Sequence, residues 1–192
     1  MIRSFTCVRS ALLVALTSFV AVGCESPTFN ELPSHMRQVS VTAIDGPGSP
    51  LPSSGTWSWM SGSGVSLHNP AVDSGFVEAV IRDAIEVELA ERGWTRGSSS
   101  GSDMFVGYVA ALSEEMSDSD LIRRFGLSPG LSSAGIRHGK GSLVLLVSTP
   151  GNSAPAWRGV AQALADLELS NEVREQRVRG AVNVLVSNIP MR

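Results

Sequence analysis

Gly141-Ser142-Leu143-Val144-Leu145-Leu146-Val147 and, after a turn-rich loop from Thr149 to Pro155, Ala156-Trp157-Arg158-Gly159-Val160-Ala161-Gln162-Ala163-Leu164-Ala165 are the two runs that decide the fold. The first is a short apolar run of strand length, and the second is a returning strand, so the pair predicts a β-hairpin. Two strands in direct succession depart from a repeated strand–helix alternation.

Working back toward the N-terminus, Asp103-Met104-Phe105-Val106-Gly107-Tyr108-Val109-Ala110-Ala111 is apolar and β-rich enough for a strand buried on most of its surface. It follows a Ser/Gly connector at Ser98–Ser102. Between it and the hairpin, Ser113 to Lys140 has no clear period. Ser117 with Asp120 three residues on resembles a capping box ahead of Leu121, Ile122 and Phe125, and predicts a short helix there. From Ser74 to Arg92 the spacing is helical. Val77, Val80, Ile81, Ala84, Ile85 and Leu89 form one stripe, Glu78, Arg82, Glu86 and Arg92 lie off it, and Asp73 or Ser74 can cap the start. Gly93 stands where a helix end favours a left-handed residue, with Trp94 free to fold back on the last turn. Earlier still, Thr56–Met60 reads as a strand with Trp57 and Trp59 on one face, a ligand platform or, more ordinarily, the sealed edge of a core. Gly46–Gly55 is a Pro/Gly/Ser loop, and Val39, Val41 and Ala43 alternate with Ser40 and Thr42 in a half-buried strand ending at Ile44. At the other end, a helix from Glu172 to Ser187 carries Val178, Ala181, Val182, Leu185 and Ile189 inward, and Pro190 closes it. The order strand, strand, helix, strand, strand, strand, helix predicts an α+β fold: a largely antiparallel sheet of about five strands with two helices packed on one face.

The chain's first residues carry a different signal. Arg3 and Arg9 precede an apolar stretch from Ala11 to Val22, about a dozen residues, too short to cross a bilayer as a helix. It ends in Ala21-Val22-Gly23-Cys24, a lipobox-like run in which Ala21 stands where Leu or Val is usual. The expectation is a lipoprotein signal over residues 1–23 with acylation of Cys24, the alternative being ordinary secretory cleavage with Cys24 incidental. Cys7 has no apolar run before it. Residues 24–36, with Pro27 and Pro33 among polar neighbours, read as a tether reaching at most about 40 Å. Residues 37–192 then form a single domain. The whole chain has a net charge of −3, and loss of Arg3 and Arg9 makes it more negative, which argues against nucleic acid as a partner. With Cys24 acylated, no disulfide remains to support the fold.

Taken together, these segments resemble the bacterial domain-of-unknown-function-4136 lipoproteins. The resemblance rests on Cys24 with its signal, Thr56-Trp57-Ser58-Trp59, the Ile81–Trp94 helix ending in Gly-Trp, and Ser102-Asp103-Met104-Phe105-Val106. Gly141–Val147, Ala156-Trp157-Arg158-Gly159-Val160-Ala161 and the final Ile189-Pro190 complete it. The chain departs from that pattern in Gly46–Gly55 and in Ser113–Lys140. What the resemblance implies is an envelope lipoprotein of unassigned function, with no catalytic residue carried over.

Residue chemistry gives little to an enzyme. Gly126-Leu127-Ser128-Pro129-Gly130 has the spacing of a nucleophile elbow, but Pro129 lacks the N–H that the oxyanion hole requires. Gly97-Ser98-Ser99-Ser100-Gly101 lies after a helix in a serine-rich connector, the wrong setting. His35, His68 and His138 have no ligand partner at metal-binding spacing. Glu114, Glu115, Asp118 and Asp120 lack the alternation of a calcium loop and read as a solvated turn. Gly139-Lys140-Gly141-Ser142 fails as a phosphate loop, yet Arg137, His138 and Lys140 together form a candidate anion or partner patch. Asp103 and Arg158, in strands among apolar neighbours, are expected to pair or to cap backbone groups. No catalytic residue, metal or cofactor is expected. The reading is a non-enzymatic lipid-anchored envelope protein, held to the membrane through acyl chains on Cys24 and binding a protein partner or envelope component. The alternative is a lipid-anchored hydrolase or small-ligand binder with an unrecognised site. Glu25-Ser26 lacks the aspartate associated with inner-membrane retention, so the expected location is the periplasmic face of the outer membrane.

Overall fold

The computed structural model describes residues 38–47, 50–131 and 139–192. Strand β1 spans Val39–Asp45, β2 Gly55–Trp59, β3 Gly64–Ser66, β4 Trp94–Arg96, β5 Met104–Leu112, β6 Gly139–Ser148 and β7 Trp157–Ala165. Helix α1 spans Ser74–Glu91 and α3 Asn171–Ser187, and the single turn α2, Asp118–Asp120, widens into a π-turn at Leu121–Phe125. The chain is α+β, and its strands form one sheet in the order β1-β7-β6-β5-β2-β4, with β3 also on β5.

The hairpin is at the centre of that sheet. β6 and β7 pair antiparallel with Val147 opposite Trp157, and β5 and β1 extend the antiparallel block on either side. Beyond β5 the pairing turns parallel: β2 and β3 run along the same edge of β5, and β4 along β2. Sequence reading gave about five strands and two helices, whereas seven strands and a third short helix are present. The extra strands, β3 and β4, have three residues each, too few to show a period. Trp57 pairs with Met104 but Gly64 with Val109, so the β2–β3 edge carries two more residues than β5 opposite and loops them out between Met60 and Ser63. Gly107 accepts that loop, for a Cβ there would lie 3.0 Å from the Met60 sulfur.

Side-chain alternation gives the sheet two apolar faces. On one, Val106, Tyr108, Leu145 and Trp157 meet α1 and α3 in the main core. The buried residues of α1 are Val77, Val80, Ile81, Ala84, Ile85 and Leu89, the stripe the spacing predicts. Asp73 caps the helix by accepting from the Phe76 N–H at 3.0 Å, and Gly93 ends it with φ +84°, as a left-handed terminator requires. On the other face Ala111, Val144 and Val160 meet Met116, Leu121 and Leu127. The two long helices, α1 and α3, therefore cover one side, and the excursion after β5, with α2 in it, covers the second. That second cover is why β5 and β6 are apolar on both faces. Ser117 and Asp120 form the expected capping box. Leu51, inside the Pro/Gly/Ser loop, is fully buried and bonded to the C-terminal Pro190 and Arg192, a core position that composition hides.

Candidate functional site

The inner stripe of α3 is incomplete. Val173, Val182, Leu185 and Val186 are buried, whereas Val178 and Ala181 are only partly so. They line a pocket of about 160 Å³ between α1, α3 and the end of the sheet where β7 runs into the loop before α3. Small residues make it. Ala161, Ala163 and Ala165 from β7, Gly141 from β6 and Ala181 all border it, and a core filled by larger side chains would leave no such space. Leu67 and Val72 close one flank and Leu167 and Leu169 the other. Apolar lining with polar groups gathered in few places is the usual form of a small-molecule site.

Among the charged side chains on its border are Asp166, Arg174 and Arg177. Arg177 Nη2 donates to the Leu164 carbonyl. Arg174 Nη2 donates to the carbonyls of Leu167, at 3.3 Å, and Leu169, at 3.2 Å, and its Nη1 to Asn171 Oδ1 at 2.8 Å. Both guanidinium groups are thus held in place by neutral acceptors. Among the described residues neither forms an ion pair. Burial pulls Arg177 below its ordinary pKa, opposed by the charge of Asp166. Asp166 itself accepts the Glu168 N–H at 2.9 Å.

The residues singled out from sequence fall elsewhere. Cys24, Arg137 and His138 lie outside the described residues. Lys140 is described, and it is not on the surface. β6 starts two residues before Gly141, so alternation puts Lys140 and Ser142 on the face under the excursion, where Lys140 is 3% exposed and ion-paired with Asp118. It also donates to the Leu131 carbonyl at 3.2 Å. Gln162, beside it on β7, accepts from the Gly130 N–H at 2.9 Å and donates to Ser142 Oγ at 3.1 Å. This polar group ties the excursion to the sheet, and Lys140 is no member of a free anion patch.

Three of the four side chains in the acidic cluster, Glu115, Asp118 and Asp120, are spent in the same way. Glu115 Oε2 accepts the Leu112 N–H and Oε1 the His68 N–H, while Asp120 caps Ser117 and pairs with Arg123. Asp103 does not meet Arg158, because β6 stands between their strands. It is exposed and accepts from both Thr56 N–H and Thr56 Oγ1 at 2.9 Å, bonds that hold its carboxyl below the usual range. Arg158 lies under Gly126, with its Nε unpartnered among the described residues. Trp57 is in the core and Trp59 meets it edge-on at 4.8 Å, with Arg82 stacked 4.9 Å over the Trp59 ring. The indole pair seals the core edge and offers no open platform. His68 Nδ1 stands 3.9 Å from Glu115 Oε1, on a side chain 80% exposed. Among the described residues, no three His, Cys, Asp or Glu side chains gather in a metal-binding group, and no helix is long and apolar enough to cross a membrane.

Residues 49–191 match the family model described as Domain of unknown function (DUF4136). No curated protein matches the chain. Among solved structures, the PelC dodecamer from Paraburkholderia phytofirmans is similar at 8% identity and a TM-score of 0.45, with 81% of this chain and 99% of that one covered. A PDZ domain protein from Parabacteroides distasonis is similar at 13% identity and a TM-score of 0.44, covering 77% of this chain and 35% of that one.

Proposed function

The chain belongs to the DUF4136 family, and we propose that it is a non-enzymatic, lipid-anchored envelope protein that binds an envelope component through the pocket between α1, α3 and β7. The pocket carries this reading: it is apolar over most of its wall and has charged groups on its border, the form of a binding site. The anchor is Cys24, placed by the leader that ends in Val22-Gly23, and the location is the periplasmic face of the outer membrane. A protein partner remains a reading of the same groove, since an open apolar wall also accepts a side chain.

Anchor and pocket are tested separately. Labelled fatty acid should enter the wild-type chain and not Cys24→Ala, and equal labelling of both would remove the anchor. Crosslinking in cells, followed by mass spectrometry, should recover a component lost in Ala181→Trp, which fills the pocket from α3. Recovery of the same component from that variant would remove the pocket from the proposal.

A further inference from the structure

We propose that the pocket holds the end of a single acyl chain whose anionic head lies against Arg174 and Arg177. This rests on the reading of the pocket as a binding site and names its ligand class. The wall decides the tail. No Phe, Tyr or Trp is among the residues that line the pocket, and Leu67, Val72, Val77, Leu143 and Val178 offer aliphatic contact on several sides. Volume limits the tail to one chain. About 160 Å³ is close to the roughly 150 Å³ engineered cavity that accepts benzene, about six carbons, and the remainder of a longer chain would run out along the open side.

The arginines decide the head. Two cations border the pocket against one carboxylate, Asp166, and the two guanidinium groups are positioned by carbonyl oxygens without being neutralised. Each guanidinium has five N–H donors, so donors remain for a carboxylate or phosphate, which arginine binds in a two-pronged fork.

The test uses the full chain reconstituted in phosphatidylcholine vesicles. The probes are dodecanoic acid and dodecanol, each with a terminal diazirine, and labelled peptides are mapped after irradiation. The acid should label peptides within residues 161–181, an excess of plain dodecanoate should suppress that label at least tenfold, and the alcohol should label the same peptides at least tenfold less. Joint Arg174→Met and Arg177→Met should bring the acid down to the level of the alcohol, while the two lysine replacements retain the difference. Equal labelling by acid and alcohol in the wild type would overturn the anionic head. Label scattered over the surface and unchanged in Ala181→Trp would overturn the acyl site altogether. If the acid fails to label the pocket while Ala181→Trp still loses its crosslinked component in cells, this inference fails and the wider binding reading stands.

Discussion

Gly159 has no room for a methyl group. A Cβ there would lie 2.6 Å from Trp157 Cη2 and 3.2 Å from Leu185 Cδ2, because the buried Trp157 ring folds along β7 onto the position two residues on. Gly159→Ala should therefore cost about 1–3 kcal/mol, as overpacking does, read as a lowered urea midpoint; a midpoint unchanged from wild type would mean that Trp157 has another place to go. Tyr108 is the chain's single tyrosine, and its hydroxyl donates to Glu78 Oε1 at 3.2 Å while Arg82 lies over the ring. Burial raises its pKa from 10.0 to about 12, with Arg82 opposing and Glu78 assisting. A raised phenol loses its proton first in the unfolded chain, so the contribution to stability is complete below pH 10 and is lost as pH rises toward 12. Ultraviolet titration should give one tyrosine midpoint near 12, falling to about 10 in denaturant; a native midpoint of 10 would place the phenol in water. Gly159 and Tyr108 were readable only as residues of β-rich runs, since their constraints come from what packs across the sheet. Lys140 was misread for a related reason: with Gly139 and Gly141 around it, the strand's start is masked by glycine, and one residue's phase decides which face it joins.

At the scale of elements, legibility follows length. Helix α1 has five turns of apolar spacing, an Asp cap and a Gly stop, and structure and pattern agree on all six of its buried positions. The β6–β7 hairpin is equally plain, because two apolar runs flank a loop of turn residues. Strands β3 and β4 have no pattern of their own and exist because β5 and β2 offer them free edges. The α3 stripe was half right. Val182 and Leu185 are buried as expected, but Val178 and Ala181 border the pocket; the pattern records which way a residue faces and not whether its partners are large enough to meet it. The run of alanines at Ala161, Ala163 and Ala165 was the available signal for that shortfall. Ile85 and Leu185 are both 0% exposed, one from each helix, so truncating either to Ala should cost about 2–5 kcal/mol. Losses below about 0.5 kcal/mol at both, in the range of ordinary surface substitutions, would mean that α1 and α3 are turned differently on the sheet.

Across the whole molecule, two faces of one sheet receive two unlike covers. The helix side leaves a pocket, and the excursion side is latched by Asp118, Lys140, Ser142 and Gln162. The fold class was legible because it depends on element order alone. The pocket was not, because it needs β7, α1, α3 and two loops in three dimensions. Hydrolytic chemistry is a property of such assembled groups too. Ser128 is exposed on the excursion, followed by Pro129, and Ser98 and Ser99 are exposed in the connector before β5. The described histidine, His68, has its Nδ1 turned toward Glu115 at 3.9 Å, and among the described residues no hydrogen bond joins a serine hydroxyl to a histidine. A nucleophile and its base need hydrogen-bond reach of each other. On the proposed non-enzymatic reading, the purified protein, offered a broad panel of esters, phosphoesters, peptides and glycosides, should show only background turnover, unchanged by Ser128→Ala, Ser99→Ala, His68→Ala or His138→Ala. Turnover well above background that any one of these substitutions abolishes would sink the non-enzymatic reading, and would make the apolar pocket the place where a hydrolase holds the acyl part of its substrate.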